Sequence, residues 1–384
     1  MNSYEPQSLS LYVHWPFCVS KCPYCDFNSH VRASIDQLAW REALLADLAH
    51  EAQLLGPRKL TSIFFGGGTP SLMDPASAEA IIDAAIGHWQ AADDIEITLE
   101  ANPNSVETER FADLASAGVN RLSLGLQSFD NEALHFLGRA HDSDEGMAAL
   151  NVAQGLFDRV SFDLIYALPG ESEKHWADAL ARALSLGTTH LSLYQLTIEP
   201  GTRFATLVER GMLEPLDPER AASLYELTQD VTEKAGIPAY EISNHARPGE
   251  ESRHNLNYWR YGDYAGIGPG AHGRRAGARS VRHRKPENFL SAISRNGHGI
   301  AEEEQLSKRE QSDEALVMGL RLSEGIDLTA TRDRLQSKEI IDWNRVERLV
   351  GSGHLKREHN RIALTREGRL VLDHILGEIA SQSA

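Results

Sequence analysis

The sequence holds almost no cysteine, no long apolar run and no excess of positive charge. Three cysteines in 384 residues cannot build a disulfide framework, which wants an even count and an oxidising compartment. No apolar stretch approaches the roughly 20 residues that a membrane-spanning helix needs, so no transmembrane segment is expected. The start, Met1-Asn-Ser-Tyr-Glu-Pro6, lacks the basic residues and apolar core of a signal peptide, and a cytoplasmic protein is expected. With 38 Lys and Arg against 55 Asp and Glu, the formal net charge is −17, which argues against a general nucleic-acid surface. One segment departs from that balance. Gly273 to Lys285 carries six basic residues, either a solvated hairpin or a place for an anionic ligand.

The length favours more than one domain, since single cores rarely grow past about 250–300 residues. The first two-thirds alternates short β-branched runs with longer amphipathic ones, the pattern of βα units around a parallel sheet. Strands are expected at Ser10–His14, Ser62–Phe65, Glu96–Glu100, Arg121–Leu126, Val160–Tyr166 and His190–Leu196, with a further one at Ala239–Ile242. Helical spacing covers Asp36–Leu55, Pro75–Trp89, Val106–Ala117, Asp144–Gly155 and Glu173–Leu186. Six such units make an α/β fold, an incomplete (β/α)6-type barrel over residues 1–240. A connecting segment, 241–300, follows. A small helical, winged-helix-like domain then spans 301–384, with helices at Ser312–Leu322 and Asp342–Ser352, a hairpin at Leu355–Leu364 turning at His359-Asn360, and a last helix, Arg366–Ile379, capped by Thr365.

The three cysteines lie within eight positions, Cys18-Val-Ser-Lys-Cys22-Pro-Tyr-Cys25, just after the first expected strand. Three soft thiolates on one short loop suit an iron–sulfur cluster whose fourth iron has no protein ligand. A zinc site completed by His14 or His30 is the serious alternative, although structural zinc draws its ligands from two separated pairs. A redox pair of Cys22 and Cys25 would leave Cys18 idle. In a barrel the reactive residues sit at the C-terminal ends of the strands, and the remaining motifs obey that rule. Gly66-Gly-Gly-Thr-Pro70 follows the second strand, Glu100 ends the third, Gln127 the fourth, and Asp163 lies in the fifth. Three glycines let backbone approach a polar cofactor edge. With Arg139, these residues make a pocket holding one cation, two carboxylates and an amide.

The segments Tyr12-Val-His-Trp-Pro-Phe-Cys18 through Cys25-Asp-Phe-Asn28, Phe64 to Ser71, Glu100-Ala-Asn-Pro103, Gly125 to Phe129, Leu137-Gly-Arg139 and Asp163 to Gly170 resemble the radical S-adenosylmethionine (SAM) superfamily. They are most similar to its HemW branch, a relative of the oxygen-independent coproporphyrinogen III oxidases. The resemblance runs over nearly the whole chain. It implies that Cys18, Cys22 and Cys25 bind a [4Fe-4S] cluster whose open iron chelates SAM, and that a reductant for the cluster is a partner. It also implies that Tyr12, Gly67, Gly68, Thr69, Glu100, Gln127, Arg139 and Asp163 line the SAM site.

Oxidases of this kind carry a fourth cysteine where this chain has Phe27, and an N-terminal extension ahead of the first strand, whereas the first strand here begins by about Leu9. Both departures point to the branch whose members bind haem and hand it to an acceptor protein. His254-Asn-Leu-Asn-Tyr-Trp259 matches the HNxxYW pattern of that branch. An imidazole there can ligate haem iron while Tyr258 and Trp259 offer flat apolar faces, and the basic run would meet the propionates. The expectation is a haem chaperone with no assigned catalytic residue, compatible with a homodimer. The runner-up is a coproporphyrinogen III dehydrogenase acting by radical decarboxylation; a zinc-stabilised interaction module is the reading of a different class.

Overall fold

The computed structural model describes residues 8–336 and 341–379. Six strands, β1 (Ser8–Trp15), β2 (Lys59–Gly67), β3 (Gln90–Ala101), β4 (Arg121–Gln127), β5 (Arg159–Tyr166) and β6 (His190–Gln195), lie parallel and adjacent in chain order. Each is where the β-branched runs predict it; the first five are extended by one to six residues at an end, and β6 stops one residue short of the expected Leu196. Their residues alternate between two very different faces. Leu9, Leu11 and Val13 of β1 are fully buried and join the apolar core beneath the helices. The opposite face carries Ser10, Ser62, Thr98, Ser123, Ser161 and Ser192, small hydroxyl residues where a filled barrel would have branched aliphatics. Ser62 donates to Ser10 at 2.8 Å and Ser161 to Ser123 at 3.2 Å, so these hydroxyls satisfy one another across strands.

The helices follow their sequence signals. Asp36 caps the helix Gln37–Leu55, and Asp142 with Glu145 forms a capping box on Ser143–Leu156. Two expectations change. Val106–Ala117 is broken into Ser105–Thr108 and Phe111–Ser116, and Glu107 of the first piece makes the polar contacts described below. Ala239–Ile242 is not a strand. Ala239 forms only an isolated bridge to His245, and β7 (Asn244–Ala246) pairs antiparallel with β6 instead.

The segment 241–300, expected as a connector, is part of the sheet. After the helix Arg253–Trp259, strand β8 (Tyr264–Ile267) pairs parallel with the outer edge of β1. Strands β9 (His272–Arg275), β10 (Ala278–Arg282) and β11 (Ile300–Gln305) then continue antiparallel, giving an open sheet in the order β11-β10-β9-β8-β1-β2-β3-β4-β5-β6-β7. The basic run sits on the β9–β10 hairpin, and its cations are mostly taken. Arg282 is fully buried between Asp47, at 3.3 Å, and Glu51 of the first helix. Arg275 pairs with Glu51 and Glu303, Arg279 with Glu304, and the Arg274 guanidinium stacks 3.8 Å from the Tyr261 ring centroid. The run is therefore an internal fastener rather than an anion receptor.

A second apolar cluster marks the C-terminal module. The helix Lys308–Gly319 enters on a capping box of Ser307 and Glu310, and Asp342 caps Trp343–Gly351. Strand β12 (Ile326–Asp327) pairs with the hairpin of β13 (Leu355–Glu358) and β14 (Arg361–Leu364), whose turn holds His359 at φ +56°. The expected single last helix is two, Arg366–Arg369 and Leu372–Ile379, with Leu370 and Val371 exposed at the break.

Removing Arg282 leaves two buried carboxylates without their cation, a loss on the order of 3–5 kcal/mol. Arg282→Met should therefore lower the midpoint of urea unfolding markedly, whereas Arg279→Met, on the exposed face, should shift it by less than about 1 kcal/mol.

Candidate functional site

The C-terminal strand ends open into a cavity of about 600 Å³ lined by Cys18, Cys22 and Cys25 together with Gly67, Gly68, Thr69, Glu100, Gln127, Arg139 and Asp163. The cysteine loop turns tightly, with Cys25 N donating to the Cys22 carbonyl at 3.2 Å, and it is stitched to the end of β2 by Gly68 N to Trp15 O and Thr69 N to Phe17 O. Position 68 must be glycine for that seam, since a Cβ would lie 2.6 Å from Phe17 O and 3.0 Å from Cys18 Sγ. Gln127 holds φ +67°, a strained conformation for a non-glycine residue that marks functional turns.

Two side chains donate to the cysteine sulfurs. Thr69 Oγ1 lies 3.5 Å from Cys18 Sγ, and Arg139 Nη1 lies 3.5 Å from Cys22 Sγ. Both are held by Asn102. Its Nδ2 donates to Thr69 Oγ1 at 3.1 Å, which turns the threonine hydroxyl proton toward sulfur, and its Oδ1 accepts from Arg139 Nη2. Behind it, the buried Glu107 carboxylate accepts from Asn102 N at 2.8 Å, from Asn104 Nδ2 and from Ser71 Oγ. Asn102 and Glu107 escape a search for cofactor ligands, although Asn104-x-x-Glu107 carries a recognisable helix-start spacing.

The carboxylates deeper in the cavity are perturbed. Burial, and then the neighbouring Asp163, push Glu100 up to about 8, against the opposing hydrogen bond from Gly67 N at 3.2 Å. Burial raises Asp163 to about 6, offset by Ser192, Arg139 and Ser123. Both carboxyls therefore hold a proton more readily than exposed ones do, and Glu100 is the more strongly raised of the two.

A second cavity, of about 760 Å³, occupies the barrel lumen. It shares Glu100, Ser123, Asp163 and Tyr194 with the first, so the two chambers have a common wall. Its volume follows from the small hydroxyl residues on the inner strand faces. Tyr12, expected with the cofactor residues, lines this chamber instead, where its hydroxyl meets His14 Nδ1 at 2.9 Å. The second nitrogen of His14 meets Asn28 O at 3.0 Å, which leaves no lone pair for zinc.

His254 also faces the lumen. Its helix is anchored by the buried Glu96, which accepts from Ser252 Oγ and His254 N, both at 3.3 Å, and pairs with Arg121 at 3.0 Å. The ring stacks on Phe64 with centroids 4.9 Å apart, and Nδ1 lies 3.4 Å from Ser62 Oγ. Burial lowers its pKa to about 3, so the imidazole is neutral. Among the described residues Nε2 has no hydrogen-bond partner. Tyr258, one turn on, and Trp259 line the same chamber.

The donor set fits an iron–sulfur cluster. Soft thiols ring an open cavity, cationic and hydroxyl donors face their sulfurs, and Gly68 leaves room against Cys18. A bound cluster would supply one-electron chemistry to SAM; the chain's own residues orient it and tune it.

Comparison with known proteins agrees with this geometry. The Radical SAM superfamily model matches residues 12–183, and the HemN C-terminal domain model matches residues 306–371. The solved structure of HemN, the coproporphyrinogen III oxidase of Escherichia coli, superposes with a TM-score of 0.81 over 98% of this chain and 91% of that one, at 23% identity, which shows the shared fold. Among curated proteins, the haem chaperone HemW of Escherichia coli is 36% identical over 96% of this chain and 97% of its own length. The HemW of Bacillus subtilis is 32% identical over 96% and 98%. The mitochondrial radical S-adenosyl methionine domain-containing protein 1 of Bos taurus is 39% identical over 98% and 88%. The chain belongs to the HemW family of radical SAM proteins.

Two outcomes are expected of the cluster cavity. Hydrogen bonds to cluster sulfurs raise the reduction potential, so Thr69→Val should make the reconstituted cluster harder to reduce. Asn102→Leu, which releases both donors, should do so more strongly, by about 59 mV or tenfold in the reduced fraction, read by EPR-monitored redox titration. In the cluster-free protein, Glu100 binds a proton in the folded state over a pH range where the unfolded chain has lost it, so its contribution to stability is lost as pH rises from about 4.5 toward 8. Glu100→Gln should therefore equal the wild type in urea unfolding at pH 4.5 and exceed it at pH 8.

Proposed function

We propose that this protein is a haem chaperone. In this reading haem occupies the lumen with His254 Nε2 on its iron, Cys18, Cys22 and Cys25 carry a [4Fe-4S] cluster, and SAM binds between the cluster and the strand ends. Two protein partners are required, a reductant for the cluster and an acceptor for haem. The observation that carries the reading is a neutral imidazole with an unpartnered nitrogen facing a hollow, aromatic-walled lumen that adjoins the cysteine cavity.

The details support it. A metal-ligating histidine needs its other nitrogen hydrogen-bonded to hold the tautomer, which Ser62 provides. Phe64, Tyr258 and Trp259 give flat apolar contact. Phe27, 57% exposed on the cysteine loop, stands where the oxidases have cysteine. Among the SAM residues, Gly67, Gly68 and Thr69 present backbone, Arg139 a cation for the methionine carboxylate, and Glu100, Gln127 and Asp163 polar groups for ribose hydroxyls; Tyr12 joins them only from the lumen side. No helix among the described residues is long and apolar enough to cross a membrane, and three reduced cysteines suit a cytoplasmic setting. The common wall between chambers favours one other reading, radical decarboxylation of a porphyrinogen held in the lumen.

Adding haem to the protein should shift the Soret band, and His254→Ala should weaken binding at least tenfold. An unchanged spectrum in that variant removes the ligand. Anaerobic turnover of coproporphyrinogen III to protoporphyrinogen by the cluster-loaded protein would replace the chaperone reading with the oxidase one.

A further inference from the structure

The lumen is not uniformly apolar, and its cations are few. Arg121, Arg321 and Arg369 are the guanidinium groups that line it. Arg121 is committed, with Nη1 on Glu96 at 3.0 Å deep in the barrel. None of the basic residues on the β9–β10 hairpin reaches the chamber. That leaves two arginines, both from the C-terminal module, lining the same chamber as His254.

Arg321 lies over the Trp259 ring, 5.8 Å from its centroid, and Arg369 stands beside the Tyr225 hydroxyl, but neither has a close carboxylate partner. Arg321 donates to the Val317 carbonyl through Nη1 at 2.8 Å, and its Nη2 lies 3.9 Å from Asp373, a side chain 94% exposed. Such a contact is worth little in water. Arg369 makes no ion pair among the described residues. It ends the short helix Arg366–Arg369, at the break that interrupts the expected single terminal helix. The break does one more thing. It turns Leu370 and Val371 toward the chamber, 44% and 39% exposed. Two guanidinium groups therefore accompany an apolar ledge in the chamber that also holds the neutral His254 imidazole. A flat apolar ligand with carboxylates on one edge matches that arrangement, because guanidinium pairs with carboxylate in a planar fork.

We propose that Arg321 and Arg369 hold the two propionate carboxylates of haem, so that the C-terminal module forms the acidic-edge half of the haem site and sets the orientation of the macrocycle. This rests on the haem reading above and adds to it a specificity for free carboxylates. Of the chamber's carboxylates, Asp373 stands on the module itself with its side chain 94% exposed to solvent, and the other three agree with one orientation. Glu100 and Asp163 lie on the wall shared with the cysteine cavity, which directs the propionate edge away from them and toward the module. Glu241 is already taken by Ser243 N and Asn244.

The test compares haem with its dimethyl ester, which keeps the ring and iron but not the charges. Titrated into the full-length protein and followed by the Soret band, haem should bind at least tenfold more tightly than the ester. In Arg321→Gln/Arg369→Gln that preference should vanish, while ester affinity stays at the wild-type value and so reports an intact chamber. The single variants should each lose about threefold or more, which keeps the test decisive should the double variant fold poorly. Arg369→Lys should recover part of the loss. A wild type with no preference, or arginine variants that retain the full preference, overturns the proposal. If the ester binds with a His254-dependent shift but haem gains nothing over it, only the arginine assignment falls. If neither pigment shifts the Soret band of the wild type, the haem reading falls with it.

Discussion

The governing constraint is the size of the side chains that point into the barrel. A parallel barrel buries its strands on both faces, and a chain that fills the inside with branched aliphatics obtains a solid core. Here Ser10, Ser62, Thr98, Ser123, Ser161 and Ser192 take those positions. They gain little from burial, so the stability of the fold comes from the outer faces, where Leu9, Leu11, Val13, Leu44 and Phe65 pack fully buried. What the inner positions provide is volume. Both the chamber that faces His254 and its junction with the cysteine cavity exist because those side chains stop short.

A hollow barrel has to be braced, and the braces are ionic. Glu96 sits buried midway along β3, where it holds Arg121 and the helix that presents His254. Arg282 joins β10 to the first helix through Asp47 and Glu51. Buried ion pairs contribute modestly to net stability but penalise every alternative arrangement that leaves one partner alone. They suit a protein whose inner wall must keep its shape without inner packing.

The parts legible in the sequence are those governed by local rules. The parallel strands announce themselves by β-branched runs, the helices by period and caps, and the hairpin at His359-Asn360 by its turn residues. The cysteine loop, Gly67, Gly68, Thr69, Glu100 and Gln127 follow or end strands, Asp163 lies within one and Arg139 follows a short helix, and one cavity gathers them all. Long-range pairing is less accessible. Nothing local says that Tyr264–Ile267 returns to the edge of β1, or that basic residues in one hairpin meet acids 230 or so positions earlier in the first helix. Tyr12 faces the lumen because alternation along β1 places it with Ser10 rather than with the loop. Asn102 and Glu107 act through other residues, so their role appears only when the hydrogen bonds are traced. Each of the six parallel strands carries a small hydroxyl on its inner face, a signal visible once polar as well as apolar positions are counted.

Glu100, Ser123, Asp163 and Tyr194 belong to both chambers, and this has a thermodynamic consequence. A ligand on one side that alters the charge or position of Glu100 or Asp163 alters the binding surface on the other. The dependence must be reciprocal and equal in free energy. Two such ligands are therefore linked by a partition only one side chain thick, and a protein that must first hold a cargo and then let it go can use the state of one chamber to set the residence time in the other.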